Sequence, residues 1–208
     1  MLKKSMCVAA AIVAAGSFAT VSGGTTAVAA PSEPNKTYVA DLQPLNAGVN
    51  GLTADGTARI TVTGDRVDVS IDVSGVNPGT LHPQHIHAGP RCATQDDDAN
   101  GDGFMDVIEG LPDYGPILIN LDNTFANPND ATLGFPVADG NGTYSYDATG
   151  SKSHFQDELE VALKLGTRHV VIHGVDPATA LPASVQSLPG LPAWATLPVA
   201  CGELVQTR

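Results

Sequence analysis

Two histidines, a cysteine and a run of carboxylates stand together between residues 85 and 109, in the stretch HIHAGPRCATQDDDANGDGFMDVIE. Its second half, Asp98 to Glu109, fits the twelve-residue pattern of an EF-hand-type calcium loop at every constrained position. Hard-cation chemistry gives each residue a role. Asp98, Asn100 and Asp102 supply side-chain oxygens at loop positions 1, 3 and 5, Gly103 permits the sharp turn at 6, and Phe104 offers its carbonyl at 7. Asp106 stands at 9, directly or through water, and Glu109 at 12 closes the shell with both oxygens. Four carboxylates so close repel one another without a cation, which makes calcium the expected cofactor. The bland alternative is a solvated acidic loop. Gly89-Pro90-Arg91 does not form a helix before the loop, so a structural site is expected rather than a sensor that opens. Its affinity should be on the order of 10⁻⁴ to 10⁻³ M, as in extracellular modules.

The histidines suit a softer metal. On a strand, residues two apart point to one face with Cα atoms about 7 Å apart, so His85 and His87 can bracket one ion while Ile86 turns away. His173 lies on a distant strand-like segment, Arg168 to His173. If the two strands are neighbours, three imidazoles converge, a ligand set for copper or zinc. His169 shares the face of His173 but lies about 13 Å away along the strand, too far for the same ion. His82 has the opposite parity to His85, and His154 can join only from a loop. Taken alone, a His-x-His pair is more often structural, hydrogen-bonded histidine than a ligand pair.

The chain opens like a secretory leader. Lys3 and Lys4 precede an apolar run from Met6 to Ala15, and Ala27-Val28-Ala29 is a cleavage signal. Cleavage after Ala29 is expected, with an exported mature protein and no membrane span; an uncleaved anchor is disfavoured by the shortness of the apolar run. Cys92 and Cys201 then remain. In an oxidising compartment two cysteines usually pair, the alternative being two buried thiols. The full chain carries 10 basic and 22 acidic residues. Without Lys3 and Lys4 the balance is 8 against 22, a net −14, which argues against nucleic acid and anionic membrane as partners and suits a binder of cations.

These side chains need a scaffold, and the scaffold reads as strands. Ala58 to Thr63 and Arg66 to Val73 alternate apolar with polar around Gly64-Asp65, a two-residue hairpin whose Gly-first order favours a type II′ turn. Tyr38 to Leu42, His85 to His87, Pro116 to Leu121, Thr143 to Tyr146, Arg168 to His173 and Val199 to Val205 are further strands. Ser153 and Gln156 resemble a capping box, and Phe155, Leu159, Ala162 and Leu163 follow at helical spacing up to Gly166, which predicts one short helix. Val175 to Pro198 is a long loop rich in Pro, Ala and Leu. Many short strands separated by turns, with 22 glycines and 15 prolines, make an all-β sandwich or barrel.

The order of these features resembles the copper/zinc superoxide dismutase superfamily and the related CHRD domain. The first hairpin and Val76-Asn77-Pro78-Gly79 before HIH are similar to the first half of that sandwich. The resemblance implies that His85 and His87 are copper ligands, that the strand ending in VVIH brings His173 as another, and that Cys92 pairs with the cysteine of Ala200-Cys201-Gly202. The departures bear on activity. The dismutases carry a bridging histidine and zinc ligands after the first cysteine, whereas this chain has no histidine between Cys92 and Ser153. The arginine that guides superoxide, shortly before the last cysteine, falls here at about Pro198. Val175 to Ala200 contains one charged residue, Asp176, so fast steered capture of an anion is not expected.

The resulting expectation is a leader over residues 1–29 and one domain over residues 30–208. The domain is a secreted Greek-key β-sandwich or flattened barrel of the copper/zinc superoxide dismutase-like type, with one short helix and long loops. It is expected to bind structural calcium at Asp98, Asn100, Asp102, Phe104, Asp106 and Glu109, and copper or zinc at His85, His87 and His173, without efficient dismutase activity. One alternative is a copper-only superoxide dismutase acting on extracellular superoxide, with three protein ligands, an open position and His154 as a candidate fourth ligand. Another is a structural or adhesive module whose histidines merely pack and whose contact surface is the loop containing Trp194.

Overall fold

Period-two alternation builds the sheets. In a computed structural model, which describes residues 34–48, 51–127, 134–158 and 161–207, the first three strands form an antiparallel meander. They are β1 (Lys36–Pro44), β2 (Asp55–Thr63) and β3 (Arg66–Ser74). Along β3 the apolar residues Val67, Val69, Ile71 and Val73 are buried and their polar neighbours face out. Thr63 pairs with Arg66, so the β2–β3 connection is the two-residue hairpin read from Gly64-Asp65. Gly64 takes φ +60° and Asp65 does not follow it into the left-handed region, as a type II′ turn requires. The leader expected over residues 1–29 lies outside the described residues, all of which fall in one unit, Ser32–Arg208.

The rest of the chain adds β4 (Gln84–His87), α1 (Val107–Tyr114), β5 (Ile117–Asn120), α2 (Asn123–Ala126), β6 (Tyr144–Ser151), β7 (His169–His173), α3 (Ala193–Thr196), β8 (Pro198–Glu203) and β9 (Val205–Gln206). The strand order is β5-β4-β7-β8-β1-β2-β3-β6, with β9 beside β1, and every pairing is antiparallel. The protein is therefore all-β, and consecutive strands such as β3 and β4 or β6 and β7 lie in different halves, the interleaved order expected of a Greek key. β1 joins the halves, with its first part paired to β2 and Gln43–Pro44 paired to β8. The short α2 packs against both edge strands, β5 and β6, and the Tyr146 hydroxyl donates to the Asp122 carbonyl at 2.8 Å.

Leu42, Ile60, Ile71, Ile86, Val170, Ile172 and Ala200 meet in the main core between the halves, each at most 2% exposed. Apolar burial of this kind is the dominant favourable term in folding. A smaller second core lies elsewhere: Leu45, Ala93, Met105, Tyr114, Val171 and Cys201. Val171 follows Val170 and so faces the opposite side of β7. The second core thus covers the outer face of the β4-β7-β8 sheet. No helix among the described residues is long and apolar enough to cross a membrane.

The helix expected from Ser153 to Gly166 does not form as one element. A single π-helical turn spans His154–Glu158, residues 161–164 are irregular, and a 3₁₀ turn covers Leu165–Thr167; Leu159 lies outside the described residues. The physical reason is competition for the cap. Asp65 of the β2–β3 hairpin takes the Ser153 N–H at 2.6 Å and the Ser153 hydroxyl at 3.0 Å, so Ser153 caps nothing. Among the described residues the longest helix is α1, eight residues long. Gly110 and Pro112 inside it mask the helical pattern, but Asp106-x-x-Glu109 at its start is a legible capping box.

Candidate metal centre

The β4–β7 register sets the site. His85 stands opposite Val171 and His87 opposite His169, so these four side chains share the outer face of the sheet, and His173, two residues beyond Val171, joins them. Each strand is adjusted beside a histidine. The β4–β5 ladder shifts between Ile86 and His87, and the β7–β8 ladder shifts between Ile172 and His173, where His173 pairs with Pro198. Irregularities of this kind re-aim side chains, and a proline has no N–H to give the ladder.

The three rings converge. Their centroids lie 5.3 Å (His85–His173), 5.6 Å (His85–His87) and 5.8 Å (His87–His173) apart. One ligating nitrogen from each lies within 4.8 Å of the others, the one such group found among the described residues. The Nδ1–H of His87 donates to the Gly115 carbonyl at 2.7 Å, and that of His173 to the Thr196 carbonyl at 2.8 Å. These bonds fix the tautomer and leave Nε2 of both rings with a lone pair. Those two Nε2 atoms, and Nδ1 of His85, are buried without a hydrogen-bond partner. A buried polar atom left unpaired costs about 1–3 kcal/mol, and a metal ion is one partner that three converging lone pairs can share.

Burial also sets the charge. Desolvation pushes His87 down to about 4 and His173 down to about 3, and holds His85 well below the ordinary histidine value. The rings reinforce this, since charge on His87 disfavours charge on His173 and both disfavour charge on His85. At neutral pH the centre is three neutral imidazoles, the form that ligates metals.

The other histidines separate from this group. His82 turns to the main core, its Nδ1 3.1 Å from the His173 carbonyl and its ring stacked on Tyr144. His154 packs against Phe155. His169 sits at the opposite end of β7, with Nε2 3.7 Å from a Glu203 carboxylate oxygen.

The acidic stretch covers the histidine face. Cys92 and Cys201 form a disulfide, Cα–Cα 5.8 Å, which ties the segment after β4 to β8. Arg91 holds Asp97 through both guanidinium ends, at 2.9 and 2.6 Å, and reaches Asp113 at 2.9 Å. Buried Asn46 clamps Met105 through both N–H and carbonyl and also donates to the Pro198 carbonyl. α1 then runs back toward the histidines. Tyr114 at its end stacks edge-on against His87 at 4.9 Å and His173 at 6.3 Å. The Gly89 N–H donates to the Tyr114 carbonyl at 2.6 Å, and a Cβ on Gly89 would lie 2.0 Å from the Asp113 carbonyl oxygen. That backbone-on-backbone approach brings the Gly115 carbonyl to His87.

No family model matches this chain, and no curated protein sequence matches it.

Within the loop, Asp98 accepts the N–H groups of Gly101 and Gly103 at 2.9 and 2.8 Å, Asn100 that of Asp102 and Asp102 that of Phe104. Glu109 accepts the Asn100 and Asp106 N–H groups, at 3.0 Å each. Asp106 is fully buried. One oxygen caps α1 through Ile108 and Glu109, and the other accepts the Gln186 N–H at 2.6 Å. It therefore acts as the joint between loop, helix and the segment leading to Thr196. The loop carboxylates are held by their own backbone and do not converge as the histidines do. Sequence reasoning missed Gly115 and Thr196, whose backbone carbonyls carry no side-chain signal, and Tyr114, whose role depends on an unrecognised helix.

Proposed function

We propose that this protein is an exported metal-binding β-sandwich of the superoxide dismutase/CHRD type. Copper or zinc would sit on His85, His87 and His173, and calcium would order Asp98–Glu109. The observation that carries the reading is the set of three unpaired, buried ring nitrogens, two of them oriented by backbone carbonyls. The ligand type suits copper or zinc; bound there, the metal would supply Lewis acidity and, if copper, a redox couple. The chain's own residues orient the rings and keep them neutral. No Lys or Arg lies between Val175 and Ala200, and Pro198 stands across from His173, so cationic steering of superoxide has no basis here. Binding is therefore preferred to rapid dismutation.

Metal uptake and superoxide consumption test this together. The mature chain is expected to take up about one copper or zinc per molecule with a clear rise in Tm, and His87→Ala to weaken uptake by at least about 100-fold. No uptake of either metal by the wild type would sink the reading. Copper-dependent superoxide consumption lost in His87→Ala would replace it with the enzyme.

The calcium assignment rests on an all-oxygen donor set in a fully matching loop. Calcium at millimolar concentration is expected to raise the Tm of the wild type by a few degrees, and Glu109→Ala to abolish that rise. A rise that survives Glu109→Ala would contradict the assignment.

A further inference from the structure

Phe135 is the residue around the three-histidine centre that neither the fold nor the ligand set explains. Its ring lies edge-on to His85, centroids 5.3 Å apart. His85 is the least buried of the three, 7% exposed against 2% for His87 and 3% for His173. The other two histidines, His87 and His173, pack edge-on against fully buried Tyr114. The aromatic cover is therefore unequal: a core residue behind His87 and His173, and a half-buried phenylalanine beside the ligand nearest solvent.

Phe135 is held there by its neighbours. The Gly134 N–H donates to the Asn123 side-chain oxygen at 2.6 Å. The His82 N–H donates to the Pro136 carbonyl at 2.8 Å. Leu81 and Val137 form a β-bridge, and Ala138 donates to the Thr80 carbonyl. The backbone before Phe135 is thus tied to α2 and the backbone after it to the segment that leads into β4, while the ring is absent from both apolar cores of the described residues. Among the described residues, the ring contact that Phe135 makes is with His85.

We infer that Phe135 is the gate of the three-histidine centre, shielding His85 and so restricting the approach of exogenous ligands to the metal. An apolar cover over a metal site controls solvent access and the exchange of exogenous ligands. This inference rests on the metal-binding reading above, and the experiment keeps the two apart.

The probes are Cu(II) for the loaded protein and diethyl pyrocarbonate for the metal-free one. In copper-loaded wild type, azide is expected to perturb the visible and EPR spectra and imidazole is not. In Phe135→Ala, imidazole should perturb both, and EDTA should strip copper at least about tenfold faster. Phe135→Leu, which restores an apolar cover, should return most of the wild-type behaviour. In metal-free protein, Phe135→Ala should speed carbethoxylation of His85, mapped by peptide mass, with Tm unchanged within a few degrees. Copper loss and His85 modification at wild-type rates in Phe135→Ala would overturn the gate. Faster His85 modification in Phe135→Ala, with a wild type that takes up no copper or zinc, would support the shielding and sink the metal reading alone.

Discussion

Replacing Cys92 and Cys201 together with serine is expected to lower the unfolding free energy by about 4 to 5 kcal/mol, read as a fall in the urea midpoint and about 10 to 15 °C in Tm. The bridge joins residues 109 apart in sequence, so in the chain-entropy account it removes much freedom from the unfolded chain. Two local effects add to this. Cys201 is buried in the small outer core with Met105, Tyr114 and Val171, and a serine there leaves a hydroxyl among apolar atoms. Cys92 also anchors the segment that carries Tyr114 and Gly115 to the histidines, so metal affinity should fall with stability. Arg91–Asp113 and Asn46–Met105 still hold the segment, which is why unfolding rather than a mere local opening is the measurement. A loss below about 1 kcal/mol would mean that those polar ties, and not the disulfide, fix the cover.

β3 was legible because one of its two faces is buried. Val67, Val69, Ile71 and Val73 announce β3, and Gly64 announces its turn. His85 and His87 were legible as a pair by parity, and His173 joined them on the condition that β4 and β7 are neighbours, which their register meets. What the sequence did not disclose is the second layer. α1 contains Gly110 and Pro112, so its propensity argues against it, and packing of Tyr114 and Met105 over Val171 overrides that. The Ser153 helix failed for the converse reason: its local cap signal was genuine, but Asp65, distant in sequence, is the better partner for the same N–H. The carbonyls of Gly115 and Thr196 are beyond any residue-type reading, since any residue has one. Their position comes from the Gly89–Tyr114 approach and from the segment ending at Pro198.

Acid should destabilise the metal-free protein earlier than its carboxylates require. Unfolded histidines titrate near 6.5, whereas burial lowers His87 to about 4, His173 to about 3 and His85 well below the ordinary value. Above about pH 6.5 both states are neutral at these rings and stability is at its full value. Between about 6.5 and 4 the unfolded chain binds protons that the folded chain refuses, so stability falls as pH falls; His87 alone accounts for about 3 kcal/mol across that window. One ring nitrogen from each of the three lies within 4.8 Å of the others, and a proton on one further disfavours protons on the others. Asp97, whose carboxylate Arg91 holds well below the ordinary range, contributes only at lower pH, because its unfolded value is near 3.9. Urea unfolding of metal-free protein at pH 7, 5.5 and 4.5 measures the slope, and His87→Gln should flatten it while leaving the carboxylate-dependent loss below pH 4 in place. Superimposable pH profiles for wild type and His87→Gln would show that the folded protein accepts protons at this centre, which contradicts three buried neutral imidazoles.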